Sequence, residues 1–371
     1  MRPLAGIRVL DFSTLLPGPM ATLLLAEAGA EVIKIERAAG EEMRRYHPLW
    51  GTDSVNFALL NRGKKSIAVD LKDADARDRV LALAEKCDVL VEQFRPGVMD
   101  RLGLGYAHLR ARNPRIVYCA ITGYGHTGPR RDRAGHDLNY IGDAGLAALS
   151  CGPPGQRVVP PGLIADIAGG AYPAVMNILL ALRQRDATGE GAFLDLSMAE
   201  NVFPFLYWAM GAGLATNAWP QNGAGLVTGG SPRYRLYDTR DGRIVAAAPL
   251  EQKFWEAFAK AIGLEPKFLD DARDPKATIA RVAEIIASRD AAEWEPIFDA
   301  ADCCCSIVQD VRAALADPHF SARGLFAHQL QNGDRGNMPA LPVPISPDFR
   351  GAAEQPLPAP ALGAHNAEFG F

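Results

Sequence analysis

With 371 residues, 48% of them hydrophobic and 22% charged, the chain has the composition of a globular protein long enough for two domains with cores of their own. A net charge of −4 gives neither nucleic acid nor an anionic membrane an electrostatic hold, so neither is expected as a partner. The chain opens MRPLAG without an apolar leader, no segment is expected to reach the uncharged length of a membrane span, and the six cysteines do not spell a disulfide framework; a cytoplasmic location is expected.

The first half alternates short β-branched runs with helical patterns. Residues 7–12 (IRVLDF) read as a buried strand, 20–28 as a helix, 31–35 (EVIKI) and 66–70 (SIAVD) as strands, and 73–87 as a helix with Val80, Leu81, Leu83 and Ala84 on one face. A strand at 88–92, a helix over 98–112 and a strand at 116–121 continue the rhythm, which predicts βαβ units around a mostly parallel sheet, an α/β fold. The strongest helical segment, 166–185, starts at Asp166 as a candidate N-cap and ends in Arg183 and Arg185. Segment 193–197 reads as a further strand and 200–212 as an aromatic-rich helix.

Six glycines in 211–230 predict a linker. Beyond it, Asp241-Gly242 between two apolar runs predicts a β-hairpin, followed by helices at 252–262 and 279–288. The expected organisation is a large domain over 1–200 completed by 330–371, a linker at 201–229, and a smaller α+β domain at 230–329.

Neither GxxxxGK[ST] nor GxGxxG occurs, which argues against nucleoside triphosphates and dinucleotides in their usual mode. Leu16-Pro17-Gly18-Pro19 reads either as a tight strand-to-helix turn or as backbone that lets a nucleotide approach a helix start. The histidines show no metal-binding spacing, and Cys303-Cys304-Cys305 points its side chains apart, so no metal is expected. The chemical signal lies in Gly135-His136-Asp137, at the start of one helix-like run, and Asp166, at the start of another. Either residue alone is more often a structural feature than a catalytic one; together they make a candidate acid–base site, with a structural role still the alternative.

These residues also carry a family resemblance. PLAGIRVLDFS, PGPMATLLLAEAGAEVIKIER, NRGKKSIAVDLK, FRPGVMDRLGLGY, ITGYGHTGPRRDRAGHDLNY and GEGAFLDLSM, in this order over most of 3–200, resemble the family III CoA-transferases of CaiB/BaiF type and their α-methylacyl-CoA racemase relatives. The resemblance implies a Rossmann-like large domain, a small domain and an interlocked homodimer. It implies an acyl-CoA substrate, with no cofactor beyond its CoA moiety. Within a local basic excess over 34–65, Arg37, Asn61 and Arg62 match positions that hold the nucleotide and its phosphates, as do Lys72 and Arg95 further on. Arg44 and Arg45 are expected to be solvated.

Two chemistries share that family. In the transferases, the Asp matching Asp166 is a nucleophile that becomes an aspartyl-CoA thioester. In the racemases, it is one of two bases, with the His of GHDxNY as the other. This sequence reads Gly135-His136-Asp137-Leu138-Asn139-Tyr140, the racemase pattern, with Asp137 and Tyr140 expected to orient the thioester and the base. Glu251 resembles an acidic residue that racemases place near the His, and only Gly229-Gly230 stands where transferases often carry a glycine run. The expectation is a racemase, with the CoA-transferase as alternative and an acyl-CoA-binding protein without catalysis as a distant third.

Overall fold

The computed structural model describes residues 2–51, 53–331, 336–353 and 356–371. Two compact units emerge, one comprising 1–144, 162–204 and 318–371, the other 145–161 and 205–317.

The first unit is built on a six-stranded parallel sheet. Its elements in chain order are β1 (Arg8–Asp11), α1 (Pro17–Glu27), β2 (Glu31–Glu36), α2 (Val55–Asn61), β3 (Lys65–Ala68), α3 (Ala74–Ala84) and β4 (Val89–Glu92). They continue with α4 (Val98–Arg101), α5 (Tyr106–Arg112), β5 (Val117–Thr122), α6 (Asp137–Asp143), α7 (Ala165–Thr188) and β6 (Ala192–Ser197). The strand order is β3-β2-β1-β4-β5-β6, with every neighbouring pair parallel. The order reverses between β1 and β4, and that reversal opens a crevice at the strands' carboxyl ends.

A parallel sheet covered on both faces needs strands apolar on both sides. Val89, Leu90 and Val91 of β4 and the whole of β5 are accordingly buried. On one face Leu10, Ile33, Leu90 and Tyr118 pack with Val80 of α3 and Leu109 of α5. On the other, α1 and α7 pack together and α7 covers β5 and β6. The last residues close the β3 edge: Asn366 accepts from the N–H of Ala68 and donates to its C=O at 2.9 and 3.0 Å. Chain end and chain start thus belong to one unit.

The second unit has α8 (Tyr207–Thr216), β7 (Arg235–Asp238), β8 (Ile244–Ala247), α9 (Gln252–Ile262), α10 (Pro275–Ile286), α11 (Ala291–Ala301) and β9 (Cys305–Ile307). The antiparallel sheet runs β9-β8-β7, with the expected hairpin turning at Asp241-Gly242. Trp255, Phe258, Val282, Trp294 and Phe298 form its core.

Several expectations need correction. The helix expected over 98–112 is two short helices, broken around Gly105, where a Cβ would fall 1.9 Å from Asp100 Oδ1. The expected linker carries α8, and 145–161 joins the second unit while 318–329 joins the first. Among the described residues one helix, Ala165–Thr188, is long and apolar enough to cross a membrane by length and composition; Ala174, Ile178 and Ala181 of it are buried. Arg44 is not solvated: its guanidinium clasps the Glu36 carboxylate at 2.7 Å through two nitrogens and lies over the Phe57 ring.

Candidate active site

A cleft of about 460 Å³ lies at the strand-order reversal of the first unit. The turn after β1 contributes Leu15 and Pro17, the segment after β4 contributes residues 93–96, the end of β5 contributes Thr122 and Gly123, and Met198 follows β6. Gln93 joins the first two walls, donating to Thr14 O at 2.6 Å and accepting from the N–H of Gly18 at 3.0 Å. The LPGP turn is therefore a tight strand-to-helix turn held by a side chain from the segment that follows β4.

Into this cleft the fold brings His136, Asn139, Tyr140, Asp166 and Arg95. His136 is exposed at the N-cap position of α6, its N–H donating to Asn139 Oδ1 at 3.0 Å. One residue on, Asp137 turns inward, is buried, and accepts a 2.9 Å hydrogen bond from the backbone N–H of Asp166. Asp166 is consequently not an N-cap. The helix begins at Ala165 and winds its first seven residues as a π-helix, with Asp166 in the first turn and Asp137 supplying the cap.

Tyr140 is buried, with its hydroxyl donating to Gly135 O and its ring edge-on to Tyr124 at 5.3 Å. A Cβ on Gly123 would lie 2.5 Å from the Tyr140 ring, and one on Gly169 2.6 Å from Met198 O, so both positions require glycine for close approach. Tyr124 donates to Asp143 at 2.6 Å, and Arg130 and Arg133 flank that carboxylate at 3.4 and 3.2 Å.

Burial, and then the neighbouring Asp137 carboxylate, push the Asp166 carboxyl up to about 6, while His136 pulls the other way. Burial, reinforced by the Asp166 charge, pushes the Tyr140 hydroxyl to about 12, so it stays protonated. The arrangement is a carboxylate of raised basicity and an imidazole lining one cleft, with a helix N-terminus beside the carboxylate to favour developing negative charge.

The nucleotide-binding expectations divide. Arg95 lines the cleft, whereas Arg37 and Lys72 are exposed outside its wall. Arg37 donates to Gly40 O at 2.7 Å and lies 3.8 Å from Glu42. Arg62 is corrected: it is buried, paired with Glu27 at 2.8 Å, and its other nitrogens donate to Leu59 O and Leu341 O. Asn61 is likewise buried, donating to Phe57 O and accepting from Lys64. Both side chains are occupied in holding α2 and are closed to a ligand. Glu251 belongs to the second unit, exposed at the N-cap position of α9. Among the described residues no group of three His, Cys, Asp or Glu could hold a metal ion. Sequence reasoning missed Gln93, whose place just after β4 was its signal, and gave no role to Asn139, although it stands in the same motif as His136.

The family described as CoA-transferase family III matches residues 4–366. The alpha-methylacyl-CoA racemase of Mus musculus is 33% identical over 377 residues, covering 98% of this chain and 92% of the racemase. The succinyl-CoA:glutarate CoA-transferase of Homo sapiens is 32% identical over 377 residues, covering 98% of this chain and 84% of the transferase. Among solved structures, that of Rv3272 from Mycobacterium tuberculosis superposes with a TM-score of 0.85 at 28% identity, covering 100% of this chain and 99% of the other. The chain belongs to CoA-transferase family III and is an enzyme of its transferase and racemase superfamily.

Proposed function

We propose that this protein is an acyl-CoA racemase that inverts the α-carbon of a 2-methylacyl-CoA by 1,1-proton transfer through an enolate. The observation that carries the reading is the Asp166 carboxyl, raised to about 6 in a cleft that it shares with His136. Two bases on opposite faces of one carbon must each serve as acid in one direction and as base in the other. An ordinary carboxyl and imidazole are separated by roughly 2.6 pKa units. Raising the carboxyl to about 6 removes most of that mismatch.

In the forward direction one base takes the α-proton, the thioester oxygen gathers the charge as an enolate, and the conjugate acid of the other base delivers a proton to the opposite face. The helix start at Ala165 supports the enolate electrostatically. Tyr140, neutral and packed against Gly135, shapes the wall that orients the thioester. Arg95 contributes positive charge toward the CoA phosphates, as Arg37 and Lys72 do from outside the cleft. The chemistry calls for no cofactor beyond the CoA of the substrate, and for no metal.

We also propose a homodimer. Tyr172, Met176, Leu179 and Leu180 leave one face of α7 exposed and apolar, and Phe203, Phe205, Tyr207 and Trp208 follow suit. The six cysteines are free thiols, which suits work in the reducing cytoplasm.

The alternative, a CoA-transferase forming an aspartyl-CoA thioester on Asp166, is separated by one experiment. In deuterium oxide with a single 2-methylacyl-CoA and no second carboxylate, the racemase incorporates deuterium at the α-carbon and loses stereochemical purity. Absence of exchange, together with CoA transfer to an added acid, overturns the racemase and establishes the transferase.

A further inference from the structure

A second group of polar side chains lies next to the cleft and takes no part in the proton transfer. Glu92 ends β4 and His126 follows β5, the neighbouring strands whose carboxyl ends form the cleft wall. The Glu92 side chain is 2% exposed; one of its oxygens accepts from the Phe94 N–H at 2.7 Å, and the other lies 4.0 Å from His126 Nε2. That Nε2 is buried and has no hydrogen-bond partner. The ring stands edge-on to Phe193 at 5.3 Å, and the His126 N–H donates to the Asp195 carboxylate at 3.0 Å, which anchors the residue to β6. Glu92, Asp100, Tyr118 and His126 all line a small cavity of about 100 Å³.

Both partners are wired to the walls of the large cleft. Phe94 belongs to residues 93–96, and its neighbour Gln93 bolts that segment to the turn after β1. His126 lies three residues past Gly123, which also lines the cleft. An unpaired buried nitrogen and a buried carboxyl 4.0 Å apart are one short movement from a hydrogen bond or an ion pair, and that movement displaces cleft-lining backbone on either side.

We propose that Glu92 and His126 are a positioning pair that sets the cleft walls, and that the charge on Glu92 controls how tightly the cleft holds an anionic CoA ligand. The proposal rests on the CoA reading above. Burial, with the Asp100 carboxylate adding to it, raises the Glu92 carboxyl to about 8, so it is neutral at pH 7. The groups on the elements around it are Asp100 on α4, Tyr106 on α5, Tyr118 and Cys119 on β5, and His126. Burial pushes the Tyr118 hydroxyl and the Cys119 thiol far up, so neither supplies a charge. As pH rises through about 8, Glu92 gains a negative charge beside a cleft that receives phosphates, and affinity for CoA ligands falls.

The experiment is calorimetric titration of the full-length protein with acetyl-CoA between pH 6 and 9. The wild type should lose about three- to tenfold in affinity across a midpoint near 8. Glu92→Gln keeps a carbonyl acceptor for Phe94 and cannot ionise, so it should bind like the wild type at pH 6.5 and show no loss toward pH 9. Glu92→Leu strands the Phe94 N–H and should bind more weakly at every pH. His126→Phe removes the other member of the pair and should weaken acetyl-CoA binding at every pH. A Glu92→Gln variant that keeps the wild-type loss overturns the pair. A wild type that binds acetyl-CoA with flat pH dependence does so too. Failure of the wild type to bind acetyl-CoA at any pH overturns the CoA reading instead.

Discussion

The Asp137 carboxylate accepts a 2.9 Å hydrogen bond from the backbone N–H of Asp166, so the residue that opens one helix caps the start of another 29 positions away. The contact aligns the first turns of α6 and α7, which carry His136 and Asp166. It also holds a second negative charge beside the Asp166 carboxyl and contributes to its raised pKa.

Replacing Asp137 separates these two roles. Asp137→Asn keeps an oxygen acceptor and deletes the charge, so the Asp166 carboxyl drops from about 6 toward the usual carboxylate range, and the acid limb of kcat/KM moves to lower pH with it. Asp137→Ala loses the acceptor as well and should cost about 1 kcal/mol of stability, read as a lower Tm. An acid limb that stays in place in Asp137→Asn shows that Asp137 does not set the basicity of Asp166.

Asp166 itself strains the fold at neutral pH. Its folded pKa of about 6 lies above the ordinary aspartate value of 3.8, so the stability it contributes is complete below pH 3.8 and is lost as pH rises through about 6. Asp166→Asn, which carries no charge to bury, should therefore be more stable than the wild type at pH 7.5. After a discount for the partial exposure of the group, the gain is about 1–2 kcal/mol. Denaturant unfolding at pH 7.5 and pH 4 checks it: the gain must vanish at the lower pH.

Arg62 and Arg37 should fail in different ways. Arg62→Ala leaves Glu27 with its other partner, Arg350, but removes a fully buried ion pair and two hydrogen bonds to backbone carbonyls. A stability loss of about 3–5 kcal/mol is expected. Arg37→Ala should leave Tm within a degree or so and raise the Kd for acetyl-CoA about tenfold, by loss of a charged phosphate contact. The reverse pattern, read from melting curves and calorimetry on both variants, would return Arg62 to the ligand site.

Loss of either base should leave one face of the α-carbon served. With a 2-methylacyl-CoA in deuterium oxide, His136→Ala should abolish inversion yet retain slow exchange of one enantiomer through Asp166. Asp166→Ala should favour exchange of the opposite enantiomer through His136. Exchange is followed by mass spectrometry after chiral separation. If His136→Ala behaves as the wild type while Asp166→Ala is inert toward both enantiomers, His136 is not a base.

Much of this was legible in the sequence because it is local. Alternation of β-branched runs with helical patterns predicted the parallel sheet, since strands buried on both faces must be apolar throughout. Asp241-Gly242 predicted its hairpin, since residues that tolerate a positive φ concentrate in such turns. The pairing of His136 and Asp166 as candidate bases could be read from their places at two helix starts and from the motifs around them.

What only the tertiary structure decided is how each polar side chain is spent. Arg37, Arg44 and Arg62 are the same residue type in one basic stretch. Arg44 closes on Glu36 and Arg62 on Glu27, because α2 and the segment before it fold against β2 and α1, while Arg37 stays exposed. Asp137 looked like a residue to orient substrate and is a buried helix cap, and Glu92 and His126 carried no mark until β4 and β5 were laid side by side. Local propensity is written in neighbouring residues. Burial, ion pairing and the pKa of a carboxyl such as Asp166 depend on groups brought together from distant positions, and the sequence determines those only through the completed fold.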